Sequence, residues 1–167
     1  GEKGVLKHVP GAVILRPSVV FGPEDQFFNR FAGMARLSPV IPVVGGATKF
    51  QPVYVADIAK AVVHILDNPH WAGKTFELGG PEVLTFKELL QQICEITHRR
   101  RLFVPLPFAL ASFQAFFLQM LPSPMLTMDQ VRLLKSDNVV ASEGVHTFKD
   151  LAISPAASEV VVPSYLW

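Results

Sequence analysis

Apolar positions in this chain fall into short runs separated by turn residues, and the first run says most about the architecture. Ala12, Val13, Ile14 and Leu15 are continuous, Arg16-Pro17-Ser18 interrupts them, Val19-Val20-Phe21 resumes, and Gly22-Pro23 ends the run. A strand that is apolar at consecutive positions must be covered on both faces, as in a parallel sheet flanked by helices. Pro17 has no backbone donor, so the ladder ends there and the next residues project from the strand's carboxyl end. That is the edge where open α/β sheets hold ligands. Such a strand belongs late in a sheet, and its place near the start of the sequence predicts earlier strands upstream of Gly1.

Glu24 to Leu37 carries Phe27, Phe28, Phe31 and Met34 or Ala35 at helical spacing, with Glu24 and Asp25 where a helix N-terminus favours negative charge. Pro39 and Pro42 bracket a strand over Val40–Val44, Gly45-Gly46 turns the chain, and Phe50 to Val55 reads as one further strand. Asp57 opens a helix with Ile58, Val62, Ile65 and Leu66 on one stripe, closed by Asn68-Pro69. Lys74 to Leu78 is a strand and Gly79-Gly80-Pro81 a turn. Thr85 and Glu88 then form a capping box for a helix over Phe86 to His98 that presents Leu89, Leu90, Ile93 and Cys94 inward. Arg101 to Val104 predicts a strand. Thr127 with Gln130 repeats the capping-box pattern, and Ser154-Pro155 predicts a cap followed by proline at the first helical position.

Length and composition fit one ordinary α/β chain: 167 residues, half of them apolar. The formal net charge of +1 gives no global field for a polyanion, which excludes nucleic acid as the expected partner. One cysteine, Cys94, excludes an internal disulfide framework and any multi-cysteine metal site, and it reads as a buried structural thiol. The five histidines have no metal-ligand spacing, and no metal site is expected.

Leu102 to Met128 contains no formal charge over about 27 residues. A membrane span needs ~20 predominantly apolar residues. Pro105 and Pro107 break the front of the stretch, and Pro122 and Pro124 the rear, leaving a helix too short to span. It reads either as a core helix of a smaller lobe or as an interfacial, partner-docking helix. The adjoining His98-Arg99-Arg100-Arg101 either complements a helix dipole or grips head groups and phosphates.

Candidate chemistry is sparse. No glycine-rich turn leads from a strand into a helix, and no GxSxG elbow, Walker loop or HExxH occurs. Gln51 and Tyr54 lie on a strand whose end should point toward the same crevice as Ser18. No general base or nucleophile stands out, so no catalytic residue is assigned.

The order ILRPSVVFGP, DQFFNRF, FQPVYVADIAKAV, GKTFELGGPEVLTFKELL resembles the C-terminal half of the extended, atypical short-chain dehydrogenase/reductases. The later segments LTMDQVRLLKSDNVV and VPSYLW are similar to one branch, the NAD(P)-binding accessory subunits of respiratory complex I (NADH:ubiquinone oxidoreductase) and their bacterial relatives.

The resemblance implies an α/β fold: the C-terminal portion of a Rossmann-like doubly wound sheet over residues 1–80, with a mainly helical lobe over 81–167. It implies that the chain begins just after the family's catalytic tyrosine-lysine pair. Pro17, Ser18, Val19 and Val20 become the turn against the nicotinamide end of a cofactor, and Gln51 and Tyr54 line the substrate crevice. The cofactor implied is NAD(P), NADPH in particular, held by the complete protein and weakly or not at all by this chain alone. The residue that reads the ribose would lie upstream.

By the same resemblance, the protein is an accessory, assembly or stability component of complex I rather than a turnover enzyme. The alternative is an NAD(P)-dependent reductase or nucleotide-sugar epimerase-like enzyme. Expected partners are other complex I subunits or the N-terminal half, and a membrane surface through Leu102 to Met128. The expected location is the reducing side of a respiratory membrane, peripherally bound.

Overall fold

A computed structural model of the protein describes residues 1–118, 128–141 and 144–166. The capping-box reading at Thr127 and the later part of the charge-free stretch lie outside them. In chain order the first elements are α1 (Glu2–His8), β1 (Ile14–Pro17), β2 (Val20–Phe21), α2 (Phe27–Leu37), β3 (Val40–Val44), β4 (Lys49–Phe50), β5 (Val53–Tyr54) and α3 (Val55–Leu66). There follow β6 (Thr75–Leu78), β7 (Leu84–Thr85), α4 (Phe86–Ile96), β8 (Leu102–Leu106), α5 (Phe108–Leu118), α6 (Met128–Leu133) and α7 (Ser158–Val161).

The described residues form two compact units, each drawn from several stretches: 1–26, 51–83 and 139–165 in one, and 27–50, 84–138 and Leu166 in the other. Both 1–80 and 81–167 contribute residues to each unit. The cause is topological. A parallel strand needs a crossover before it can return beside its neighbour, so partners in space are far apart in sequence.

In the first unit β1 pairs in parallel with β6, Ile14 opposite Thr75 and Pro17 opposite Leu78, while β2 pairs in parallel with β5. The apolar run around Pro17 thus serves two strand pairs, and the proline marks the step between them. Helix α3 covers this layer. Its Ala61 and Ile65 join Val53, Phe76, Leu78, Phe148 and Leu151 in one buried cluster, against which Val13, Leu15 and Ile58 pack. Burying each large side chain of this kind contributes ~1.5–3 kcal/mol. Val62 and Leu66 of the expected stripe are instead exposed, because the buried arc of α3 runs through Asp57, Ala61 and Ile65.

In the second unit β3 pairs in parallel with β8, and β4 pairs antiparallel with β7. Phe27, Phe31, Phe50 and Phe86 form an aromatic cluster with edge-to-face geometry, centroids 5.1 Å apart for Phe27 and Phe31 and 5.4 Å for Phe31 and Phe86. Val44, Ala111 and Val131 are buried together with Leu106, Phe108, Met128 and Leu134 around them. Helix α4 begins as its sequence requires: the Glu88 backbone N–H donates to Thr85 Oγ1 and the Thr85 N–H donates to the Glu88 carboxylate.

Several expectations are corrected. Helix α2 starts at Phe27, so Glu24 and Asp25 do not occupy its first turn; Asp25 is drawn into a turn with Gly22 and accepts a hydrogen bond from Tyr165. The expected strand Phe50 to Val55 breaks at Gln51-Pro52 into β4 and β5, which pair with different strands in different units. Pro52 cannot continue a ladder as a donor. No helix begins at Pro155. Residues 154–157 are irregular, the Ala156 N–H donates to the buried Asp57 carboxylate at 2.7 Å, and α7 begins only at Ser158. Helix α4 stops at Ile96, two residues short of His98, which takes a left-handed φ of 51°.

Candidate functional site

The carboxyl end of β1 is built by its neighbours. Ser18 continues the β1–β6 ladder by one bond, its N–H donating to the Leu78 carbonyl at 2.9 Å, and the side chain is only 8% exposed. Its Oγ accepts the Gln51 backbone N–H at 3.1 Å. Val19 gives its carbonyl to the Val53 N–H, while Pro17 and Val20 remain exposed at the edge. The structure therefore brings Ser18 and Gln51 into direct contact.

Gln51 is fully engaged within the fold. Its Nε2 donates to the Gly80 carbonyl at 2.7 Å and its Oε1 accepts the Val140 N–H at 3.0 Å, while its own carbonyl accepts the Gly80 N–H at 3.2 Å. The Gly79-Gly80 turn is pressed against this residue. A Cβ on Gly79 would lie 2.5 Å from Gln51 Cδ, and one on Gly80 would lie 1.9 Å from the Pro52 carbonyl oxygen. The glycine pair is needed for close approach, not for unusual dihedrals, since neither has a positive φ. Tyr54 is placed apart from Ser18 and Gln51. It ends β5 opposite Phe21 of β2, the two rings stacking at 5.6 Å, and serves as the N-cap residue of α3.

Three polar groupings around this edge had only weak sequence signals. Glu77 lies opposite Arg16 in the β1–β6 register; it accepts from Arg16 at 3.3 Å and from the Ala141 N–H at 2.9 Å. Arg16 also pairs with Glu2 at 2.6 Å, and the two carboxylates raise its already high pKa further. Both ion pairs are partly solvated, which limits their worth. Asp57, 1% exposed, holds Lys60 at 2.8 Å as well as the Ala156 N–H. Tyr165 donates to Asp25 at 2.7 Å, and burial first, then that carboxylate, pushes its phenol well above the usual range. Alternation on β6 was the one available hint for Glu77; nothing local pairs Tyr165 with Asp25.

These contacts define what the edge can do. Its amides and carboxylates hold backbone and neighbouring side chains, so the arrangement positions a turn and a returning segment. Cys94 is buried on α4, where desolvation pushes its thiol pKa up and away from the reactive thiolate. Among the described residues no three of His, Cys, Asp and Glu converge as metal ligands, and no helix is long and apolar enough to cross a membrane.

No protein-family model matches the chain. It is 36% identical to NADH dehydrogenase (ubiquinone) 1 alpha subcomplex subunit 9, mitochondrial, of Arabidopsis thaliana, over 92% of this chain and 41% of that protein. It is 31% identical to the NADH-ubiquinone oxidoreductase 40 kDa subunit, mitochondrial, of Neurospora crassa, over 93% of this chain and 41% of that one. The chain thus spans about two-fifths of the length of these curated relatives. Among solved structures it superposes on the gox2253 protein with a TM-score of 0.67 at 21% identity, covering 98% of this chain and 52% of that one. A dTDP-4-dehydrorhamnose reductase of Bacillus anthracis in complex with NADP gives 0.65 at 13% identity, covering 98% and 50%. The structures show the fold, α/β with Rossmann-like parallel pairing, and the relatives bear out the resemblance read from the sequence.

Proposed function

We propose that this chain is the C-terminal portion of an accessory component of respiratory complex I (NADH:ubiquinone oxidoreductase), one that supports assembly or stability and holds NAD(P) without turning it over. The observation that carries this reading is similarity along nearly the whole chain, at 31–36% identity, to proteins named as subunits of that complex. The partners are then other complex I subunits, and the location is peripheral to a respiratory membrane on its reducing side. Residues 1–80 supply the closing strands of the nucleotide-binding sheet, and 81–167 the greater part of a helical lobe that meets a neighbouring subunit or a membrane surface through Leu102 to Met128, a stretch whose Leu106, Phe108 and Ala111 also pack in the core.

The residues at the edge of β1 fit one end of the cofactor. Pro17 and Val20 are exposed there beside the buried Ser18 and the half-buried Val19, an apolar rest for the flat nicotinamide ring of NADPH. When bound, the group supplies hydride chemistry in enzymes of this fold. Here the chain offers no matching proton donor, and Gln51 and Tyr54, at the substrate crevice, serve the fold. Neither glycine pair in this chain leads from a strand straight into a helix as a phosphate cradle must. The pyrophosphate grip therefore falls to chain beyond these residues, and this chain alone binds NAD(P) weakly or not at all.

Deleting the gene in its host is expected to lower assembled complex I and membrane NADH:ubiquinone oxidoreductase activity, with recovery on supplying the full-length protein. Undiminished assembly in the deletion strain overturns the proposal. A nucleotide-stripped preparation that assembles as well as the loaded one overturns the cofactor's structural role, and NAD(P)H oxidation with a defined carbonyl or sugar substrate selects the enzymatic alternative.

A further inference from the structure

The net charge of +1 conceals a strong separation along the chain. Residues 27–50 and 96–128 carry Arg30, Arg36, Lys49, Arg99, Arg100 and Arg101 and not one Asp or Glu, leaving nine basic against fourteen acidic residues in all the rest. These two segments meet in the second unit, where β3 and β8 pair over their full length.

The pair is open over only part of one face, since Val44, which alternates onto the same side as Val40 and Pro42, is buried with Ala111 and Val131. Ile41 and Val43 are buried, whereas Val40 and Pro42 are exposed, and so are Leu102 and Val104, which lie directly opposite them in the register. Four apolar side chains thus form a continuous open floor, with the highly exposed Leu37 just ahead of it in sequence. The basic cluster enters at the same end. Arg101 turns back into the unit, donating from Nε to the Ala35 carbonyl at 2.5 Å, while Arg100 is exposed and Arg99 half-exposed. An apolar floor rimmed by guanidinium groups, with no carboxylate in either contributing segment, fits a surface that is apolar within and anionic at its boundary. Nucleic acid has no use for the floor, and Pro42 and Pro105 withhold ladder donors, making the pair a poor template for an added protein strand.

We propose that the open part of the β3–β8 pair is a docking surface for an anionic lipid membrane, with Val40, Pro42, Leu102 and Val104 as its apolar floor and Arg99 and Arg100 at its rim. This rests on the membrane-peripheral part of the reading above and gives it a partner and a place.

The test is flotation of the full-length protein with vesicles of phosphatidylcholine alone and of equal parts phosphatidylcholine and phosphatidylglycerol, at low and high salt. Binding is expected on the mixed vesicles, weaker on phosphatidylcholine and weakened by salt. Arg99→Glu with Arg100→Glu should lower it about tenfold or more. Leu102→Ser with Val104→Ser should lower it too while leaving the salt dependence in place, circular dichroism confirming the fold of both variants. Failure to bind mixed vesicles, equal binding to both compositions, or indifference to both double substitutions overturns the proposal, as does capture only by an acidic protein. No complex I subunit is needed for the measurement, so a negative result leaves the assembly reading standing. Failed assembly with intact vesicle binding would remove only that reading.

Discussion

The phenolic oxygen of Tyr165 donates a 2.7 Å hydrogen bond to Asp25 Oδ2, joining residues 140 positions apart. The same carboxylate oxygen lies 3.4 Å from the Gly22 N–H, so the C-terminal segment is pinned to the turn that follows β2. Burial and the neighbouring carboxylate both favour the neutral phenol and raise its pKa well above the ordinary value of 10.0. A raised pKa adds stability that is complete below about pH 10 and lost as pH climbs, because ionisation removes the donor and sets two negative charges together. Tyr165→Phe is expected to cost about 1–2 kcal/mol at neutral pH. Its urea-unfolding stability should also fall less steeply than the wild type's in alkali, and parallel curves would contradict this.

The glycines offer a sharp contrast. A Cβ on Gly80 would sit 1.9 Å from a backbone oxygen that cannot swing away, whereas one on Gly33, exposed within α2, would meet nothing within 4 Å. Gly80→Ala should therefore destabilise by about 3 kcal/mol or more, the upper end of overpacking costs. It should also loosen Gln51 and the returning segment at Val140. Gly33→Ala should stabilise by roughly 0.5–1 kcal/mol by improving helix propensity. Thermal unfolding of the two variants beside the wild type decides it; equal shifts would mean that the Gly80–Pro52 approach is relieved by small movements of the turn.

What the sequence made legible was local. Val40–Val44 follows Pro39 and emerges as β3 with the expected bounds although Pro42 lies within it, and Thr85 and Glu88 announce α4 because both halves of the capping box lie within four residues. Gln51 was legible as a residue near Ser18 but not as a hub, since its side chain joins Gly80 and Val140, 29 and 89 residues away, and no periodicity encodes such partners. Ser154-Pro155 carries a sound helix-start signal, but Asp57, 99 residues before Ala156, accepts the N–H that the Ser154 side chain would have capped. The interleaving of the two units was hidden for the same reason: β1 finds its partner in β6 only after the chain has built α2, β3 and α3.

At the end of α4, His98 occupies the position after the cap with φ 51°, its N–H donating to the Glu95 carbonyl at 3.0 Å while the Arg99 N–H reaches the Cys94 carbonyl at 2.8 Å. This is the Schellman arrangement, in which glycine ordinarily takes the left-handed residue. A residue with a Cβ is strained there, by roughly 1–2 kcal/mol. His98→Gly should recover about 1 kcal/mol or less once the greater freedom of glycine in the unfolded chain is counted. A raised unfolding midpoint is the expected result; a lowered one would show that the imidazole makes a contact worth more than the strain.

The start of the same helix predicts a pH dependence. Glu88 Oε2 accepts both the Thr85 N–H and the Thr85 hydroxyl at 2.7 Å, and the backbone donor first, then the hydroxyl, holds its carboxyl below the ordinary 4.5. A depressed folded value means that ionised Glu88 stabilises the folded state above about pH 4.5 and that this contribution fades as pH falls through the lowered value. Glu88→Gln keeps an acceptor for the box but cannot ionise. The variant should be less stable than the wild type near neutrality, and the difference should close as the solution is acidified. Thr85→Ala removes the other half of the box and one donor to the carboxylate, and should cost about 1 kcal/mol near neutrality, only part of which fades in acid. Urea unfolding of the three proteins across the acid range separates the two roles. A gap between wild type and Glu88→Gln that stayed constant down to the acid limit would assign the effect to shape and not to charge.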